Sequence, residues 1–221
     1  MRRVLRENGL SLVLVTLFLF FWAGQSLVGH REYNNDQQEH RQPEVSYGSY
    51  LRSAHFWEAT AENWESEFFQ MFGYVILTAV LYQKGSSESK KLDETEPVDR
   101  EPRKRQGRKV PWPVRRGGWV LKLYEQSLSL AFLLFFLFSI LLHAVSGAAV
   151  YNEDQAAHGQ PEHLSVLQYA GSSRFWFESL QNWQSEFLAI AAMVVLSIFL
   201  RQRGSPESKP VDAPHGQTGT E

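Results

Sequence analysis

The chain contains no cysteine, which excludes disulfides, thiolate metal sites and a thiol nucleophile. No Ser-His-Asp arrangement, phosphate-binding loop or His-Glu-x-x-His pattern is present, so no enzyme activity and no cofactor are expected. No nucleic-acid-binding module is recognisable either. Basic residues are scarce in two places. Of 22 Lys and Arg, only Arg31, Arg41, Arg52 and Arg174 fall in the two polar segments that separate paired apolar runs. The net charge of −2 is uninformative beside that distribution.

What is present is one pattern written twice. YNNDQQEHRQPE (Tyr33–Glu44) returns as YNEDQAAHGQPE (Tyr151–Glu162). FWEATAENWESEF (Phe56–Phe68) returns as FWFESLQNWQSEF (Phe175–Phe187), and QKGSSESK (Gln83–Lys90) as QRGSPESK (Gln202–Lys209). The offset is 118 residues for the first block (33 to 151) and 119 for the others (56 to 175, 83 to 202), so one residue is added between them. Self-similarity on this scale implies two related structural units.

The mean hydropathy of −0.31 hides strong segregation. Leu10–Val28 and Leu128–Val145 approach the roughly 20 residues that cross a hydrocarbon core of about 30 Å. Phe68–Tyr82 and Phe187–Leu200 are shorter, and span only if the preceding Asn-Trp-x-Ser-Glu joins the helix. The expected fold is all-α and integral to a membrane: four transmembrane helices, as two tandem-duplicated hairpins with projecting outer helix ends. The hairpins would be related by a pseudo-two-fold axis along the membrane normal. The basic N-terminus, central segment and tail then lie together on the cytoplasmic side of a bacterial inner membrane. Arg2, Arg3 and Arg6 before an apolar stretch also resemble a signal peptide. The matched run Leu128–Val145 is internal, which favours a retained anchor.

Along the chain the expected parts are a first hairpin unit (1–85), a disordered charged cytoplasmic linker (86–110), a second hairpin unit (111–204) and a disordered tail (205–221). The first helix either continues from about Glu7 to His40, stopping near Pro43 with its twin Pro161, or breaks at Gly29 and restarts at Asn34. Ser53 and Ser172 are expected N-caps of the return helices. Gly85 and Gly204 read as C-terminal cap glycines. Arg103–Lys122 places Trp112 and Trp119 among basic residues. It suits positive-inside topology and contact with anionic lipid headgroups, the expected partner alongside a second copy or another membrane protein.

With ENWESEF (Glu62–Phe68), QKGSSESK (Gln83–Lys90) and RENGLSL (Arg6–Leu12) laid out, the chain resembles a family of small bacterial inner-membrane proteins known only as a domain of unknown function. The resemblance covers nearly the whole chain apart from the linker and tail. It implies location and span number, and no activity.

The candidate polar residues are Gln25, Glu67, His143 and Glu186. By helical rise all four fall near the outer boundary, which predicts Gln25–Glu67 and His143–Glu186 pairs within the two hairpins. Such pairs tie helices together; alternatively they bind ions or protons. Trp64 and Trp183 are expected at the membrane interface, where an indole keeps its N–H near water. Asp36 with His40, and Asp154 with His158, have i, i+4 spacing that a metal could bridge. A solvated ion pair is the simpler reading, and no metal is expected. No charge lies at the middle of the spans, where a transporter would carry polar groups. The expectation is a non-catalytic structural or interaction protein, with a small channel or transporter as the alternative.

Overall fold

The computed structural model describes residues 2–102, 110–160 and 163–220, with side chains from Arg6 onward. Pro161, and the basic residues 103–109 of the Arg103–Lys122 stretch, lie outside the described residues. Among the described residues there is no strand, and the fold is all-α.

The first helix, α1, covers Arg2–Glu39, with one non-helical residue at Asn8. It runs through Gly29 and Asn34, so the continuous reading holds and the restart at Asn34 does not. Its end is a Schellman turn. Arg41 N–H donates to Gln38 O (3.0 Å) and Gln42 N–H to Gln37 O (2.7 Å), while Arg41 takes φ 56°. A short helix α2 (Tyr47–Tyr50) follows, capped by Ser46, and then α3 (Ala54–Val80). The second half has α4 (Trp112–Arg116), α5 (Gly118–Glu125), α6 (Ser127–Ala157), α7 (Val166–Ala170) and α8 (Ser173–Phe199). The expected caps are in place. Ser53 Oγ accepts from Phe56 N–H and Ser172 Oγ from Phe175 N–H, both at 3.3 Å.

The helices keep the offset of the sequence. A shift of 119 residues carries α3 onto α8 at both ends (54 to 173, 80 to 199), and 118 carries the end of α1 onto the end of α6 (39 to 157). Arg6–Glu39, Ser127–Ala157 and Ser173–Phe199 are long and apolar enough to cross a membrane. That is three helices among the described residues, where four are expected. The fourth, α3, has the same length as α8, but Glu58, Glu62, Glu65 and Glu67 crowd its first half.

The chain forms two compact units, each drawing on both halves. The first is Met1–Ala61 with Leu142–Phe175. Its core includes Tyr50, Phe56, Tyr169 and Phe175, all buried. Tyr50 is seated against Gly29 and Tyr169 against Gly147, so close that a Cβ would collide with the Tyr50 hydroxyl in one case and with the Tyr169 ring and hydroxyl in the other. Gly29 is therefore a packing position rather than a tolerated helix breaker. Two asparagines hold the return of the chain. Asn34 accepts from Val45 N–H (2.9 Å) and donates to Val45 O (3.1 Å). Asn152 does the same to Leu164, at 2.8 and 3.0 Å. Asn34 and Asn152 differ by 118 and their partners by 119, so the added residue is His163, between Glu162, which matches Glu44, and Leu164, which matches Val45.

The second unit is Glu62–Leu141 with Trp176–Glu221. Gly85 (φ 89°) and Gly204 (φ 86°) do not cap α3 and α8, which end five residues earlier. Each occupies a left-handed turn position, closed by Ser86 N–H to Gln83 O and Ser205 N–H to Gln202 O (both 3.2 Å). The two loops share further bonds: Gln83 N–H to Ser89 Oγ (2.8 Å) and Gln202 N–H to Ser208 Oγ (2.9 Å). Composition predicts disorder over 86–110 and 205–221, yet described residues in both segments are bonded in place. Lys90 pairs with Asp99 at 2.7 Å, and Lys91 N–H donates to Glu96 at 2.8 Å. The tail wraps the fully buried Lys209, whose ammonium group is shared among the carbonyls of Gly85 (2.5 Å), His215 and Gln217 (2.9 Å each) and Pro214 (3.3 Å). Thr218 Oγ1 accepts from Gly85 N–H at 2.8 Å, and Gly219 N–H donates to Ser86 O at 2.9 Å. Average polarity misses this because the tail is held through backbone carbonyls and not through an apolar core.

Candidate functional site

The repeated Glu/Gln-Asn-Trp-Glu/Gln-Ser-Glu-Phe block is where the two halves of the sequence meet within the second unit. On α3, Glu62, Glu65 and Gln70 present side-chain oxygens and an amide; on α8, Asn182 and Trp183 present donors. Asn182 Nδ2 donates to Glu62 Oε1 at 2.6 Å. Trp183 Nε1 donates to Glu65 Oε1 at 3.0 Å. Gln70 Nε2 donates to the backbone carbonyl of Glu186 at 2.8 Å. Glu65 is fully buried, Ser66 nearly so and Gln70 largely so. An aromatic cluster borders these bonds. Phe69 lies 4.5 Å from Trp183, 5.0 Å from Phe136 and 5.5 Å from Phe187, ring centre to ring centre. A buried carboxylate is tolerated only with donors directed at it, and the indole supplies one in a dry aromatic setting.

Trp183 is thus half-buried with its N–H on a carboxylate, and Trp64 is half-buried on the other helix. Glu67 is exposed and Glu186 half-buried. Gln25 and His143 belong to the first unit. Gln25 is half-buried; His143 is fully buried, its ring 4.8 Å from that of Phe175. The structure brings out Glu62, Glu65, Gln70 and Asn182, which join the two halves and which reasoning hairpin by hairpin overlooks. A signal for them existed: Glu62 and Glu65 match Gln181 and Gln184, so the halves differ in charge at two positions three apart on one helix face.

In the first unit, Asp36 and His40 approach to 3.4 Å, and the His40 and His158 rings are 5.3 Å apart. No group of three or more metal-binding side chains occurs among the described residues. Each ring's Nδ1 instead bonds its own helix, at Asp36 O (3.0 Å) and Asp154 O (2.8 Å).

A family model described as a domain of unknown function, DUF6766, matches residues 1–220. The chain belongs to the DUF6766 family. No curated protein and no solved structure matches it. For this DUF6766 chain, any function has to be argued from the arrangement of its own residues.

Proposed function

We propose that this DUF6766 protein is a non-catalytic integral membrane protein of structural or interaction type. It is built from a tandemly duplicated helical hairpin in a bacterial inner membrane. The observation that carries the reading is the use made of the duplicated block. Its polar side chains Glu62, Glu65, Asn182 and Trp183, with Gln70 just beyond it, bond one half of the sequence to the other. They serve cohesion between helices, as polar groups do where lipid offers no partners.

The three long apolar helices support membrane insertion. The coincidence of α3 with α8 under the 119-residue shift supports a fourth span. On this reading both termini are cytoplasmic, because Lys and Arg concentrate at the N-terminus, the central segment and the tail. Trp112 and Trp119 are exposed beside Arg115 and Arg116, which suits an anionic headgroup layer.

The competing class is a small channel or transporter that uses Glu67, Glu186 and His143. Purified protein in sealed liposomes separates the two. The structural reading expects proton and sodium leak equal to that of empty liposomes. A leak that is abolished by Glu186→Gln would support the channel and overturn this proposal.

A further inference from the structure

The two halves differ instructively at one matched pair in the first unit. Arg174 of the second half forms an ion pair with Asp154 at 3.2 Å, and its guanidinium lies 5.7 Å from the ring centre of Tyr151. The matched residues of the first half are His55, Asp36 and Tyr33. His55 occupies the same kind of place: its ring is 5.2 Å from that of Tyr33 and 6.2 Å from that of Tyr50. So where one half holds a permanent cation over a tyrosine and beside an aspartate, the other holds an imidazole.

We propose that His55 is the titratable counterpart of Arg174, and that its protonation puts beside Tyr33 the cation that the second half always holds beside Tyr151. The groups around it are consistent with that role. Glu32 and Asp36 act on it from α1 and Asp154 from α6, with Tyr33 and Tyr50 beside its ring. Glu58 lies one turn along its own helix. The carboxylates favour the imidazolium, while half-burial among aromatic rings opposes it. Burial prevails and pushes His55 below the ordinary histidine value of 6.5.

The sign of the pH dependence follows. An unfolded chain takes up this proton as the pH falls through 6.5, whereas the folded unit resists until lower pH. The stability contributed by neutral His55 is therefore complete above 6.5. It is lost as the pH falls through the window between 6.5 and the depressed folded value. The imidazolium formed there is attracted by the charges of Asp154 and Asp36 without an ion pair to either. Because arginine stays charged throughout, the matched position 174 contributes no such dependence.

Histidine-ring NMR of the full chain in detergent tests this, with the His55 signal identified by its loss in His55→Arg. The expected midpoint lies below 6.5, and Asp36→Asn and Asp154→Asn each move it further down by removing an attracting charge. Unfolding measured between pH 7 and 5 should show an acid loss in wild type that is reduced in His55→Arg. A midpoint at or above 6.5, or one that neither aspartate substitution moves, would overturn the proposal. So would a His55→Arg protein with the same acid loss as wild type.

Discussion

The indole N–H of Trp183 donates to the buried carboxylate of Glu65 at 3.0 Å, joining residues 118 apart in the sequence. A hydrogen bond to a charged group contributes about 1.5–3 kcal/mol, and a buried acceptor left unpaired costs a similar amount. Trp183→Phe should therefore destabilise by about 1–3 kcal/mol in a detergent unfolding series. Glu65→Gln, which keeps an acceptor oxygen, should lose less. A double-mutant cycle of Glu65→Leu with Trp183→Phe should couple by more than about 0.5 kcal/mol. Additive losses would mean that the two side chains act independently.

The Schellman turns that end α1 and α6 differ in one respect. Gly159 occupies the left-handed position in one (φ 70°), and Arg41 is forced into it in the other (φ 56°). A Cβ in that conformation costs about 1–2 kcal/mol, partly offset by the greater freedom of glycine when unfolded. Arg41→Gly should raise stability by up to about 1 kcal/mol. Gly159→Ala should lower it, although nothing lies within 4 Å to obstruct the new methyl group. Equal midpoints for Arg41→Gly and wild type would count against the backbone argument.

Steric conflict predicts a different pattern at Gly29 and Gly147. A Cβ on Gly147 would sit 2.6 Å from the Tyr169 ring, and one on Gly29 would overlap the Tyr50 hydroxyl. Each Gly→Ala should cost about 1–3 kcal/mol through overpacking. Tyr50→Phe removes the atom that collides, so it should rescue Gly29→Ala more than Tyr169→Phe rescues Gly147→Ala, where ring carbons also intrude. Failure of Tyr50→Phe to restore any stability would place the strain elsewhere.

Much of the helical layout is legible in the sequence because it rests on local signals. Ser53 and Ser172 cap as their chemistry dictates, and α1 continues because nothing before Pro43 stops it. The candidate site is less legible. Depth reasoning leads to Glu67 and Glu186 but passes over Glu65, two residues from Glu67. Helix rotation decides which carboxylate is buried, and only the packing partner fixes that rotation. Gly29 has the composition of a helix breaker, yet its role depends on a tyrosine 21 residues away. Lys209 lies in a segment whose composition suggests disorder, and it is buried because backbone carbonyls from two separate segments surround it.

The Lys209 cluster makes a prediction about the tail. Replacing Lys209 by Met leaves the carbonyls of Gly85, His215 and Gln217 without their shared donor. Each acceptor that water cannot then reach costs about 1–3 kcal/mol, and all the bonds from Lys209 that tie the tail to Gly85 are lost together. Limited proteolysis should cut the Lys209→Met tail well before the wild-type tail, with the helices intact. Equal cleavage rates would show that Lys209 does not hold the segment.

Membrane topology tests the account most directly, because everything depends on α3 crossing the bilayer despite its four glutamates. Paired reporters, one active only in the cytoplasm and one only outside it, would be fused after Gln42, Lys90, Gly159 and Gly216. The account predicts that the Lys90 and Gly216 fusions report cytoplasm and the Gln42 and Gly159 fusions report the exterior. Lys90 and Gly216 on opposite sides, or Gln42 and Lys90 on the same side, would contradict it.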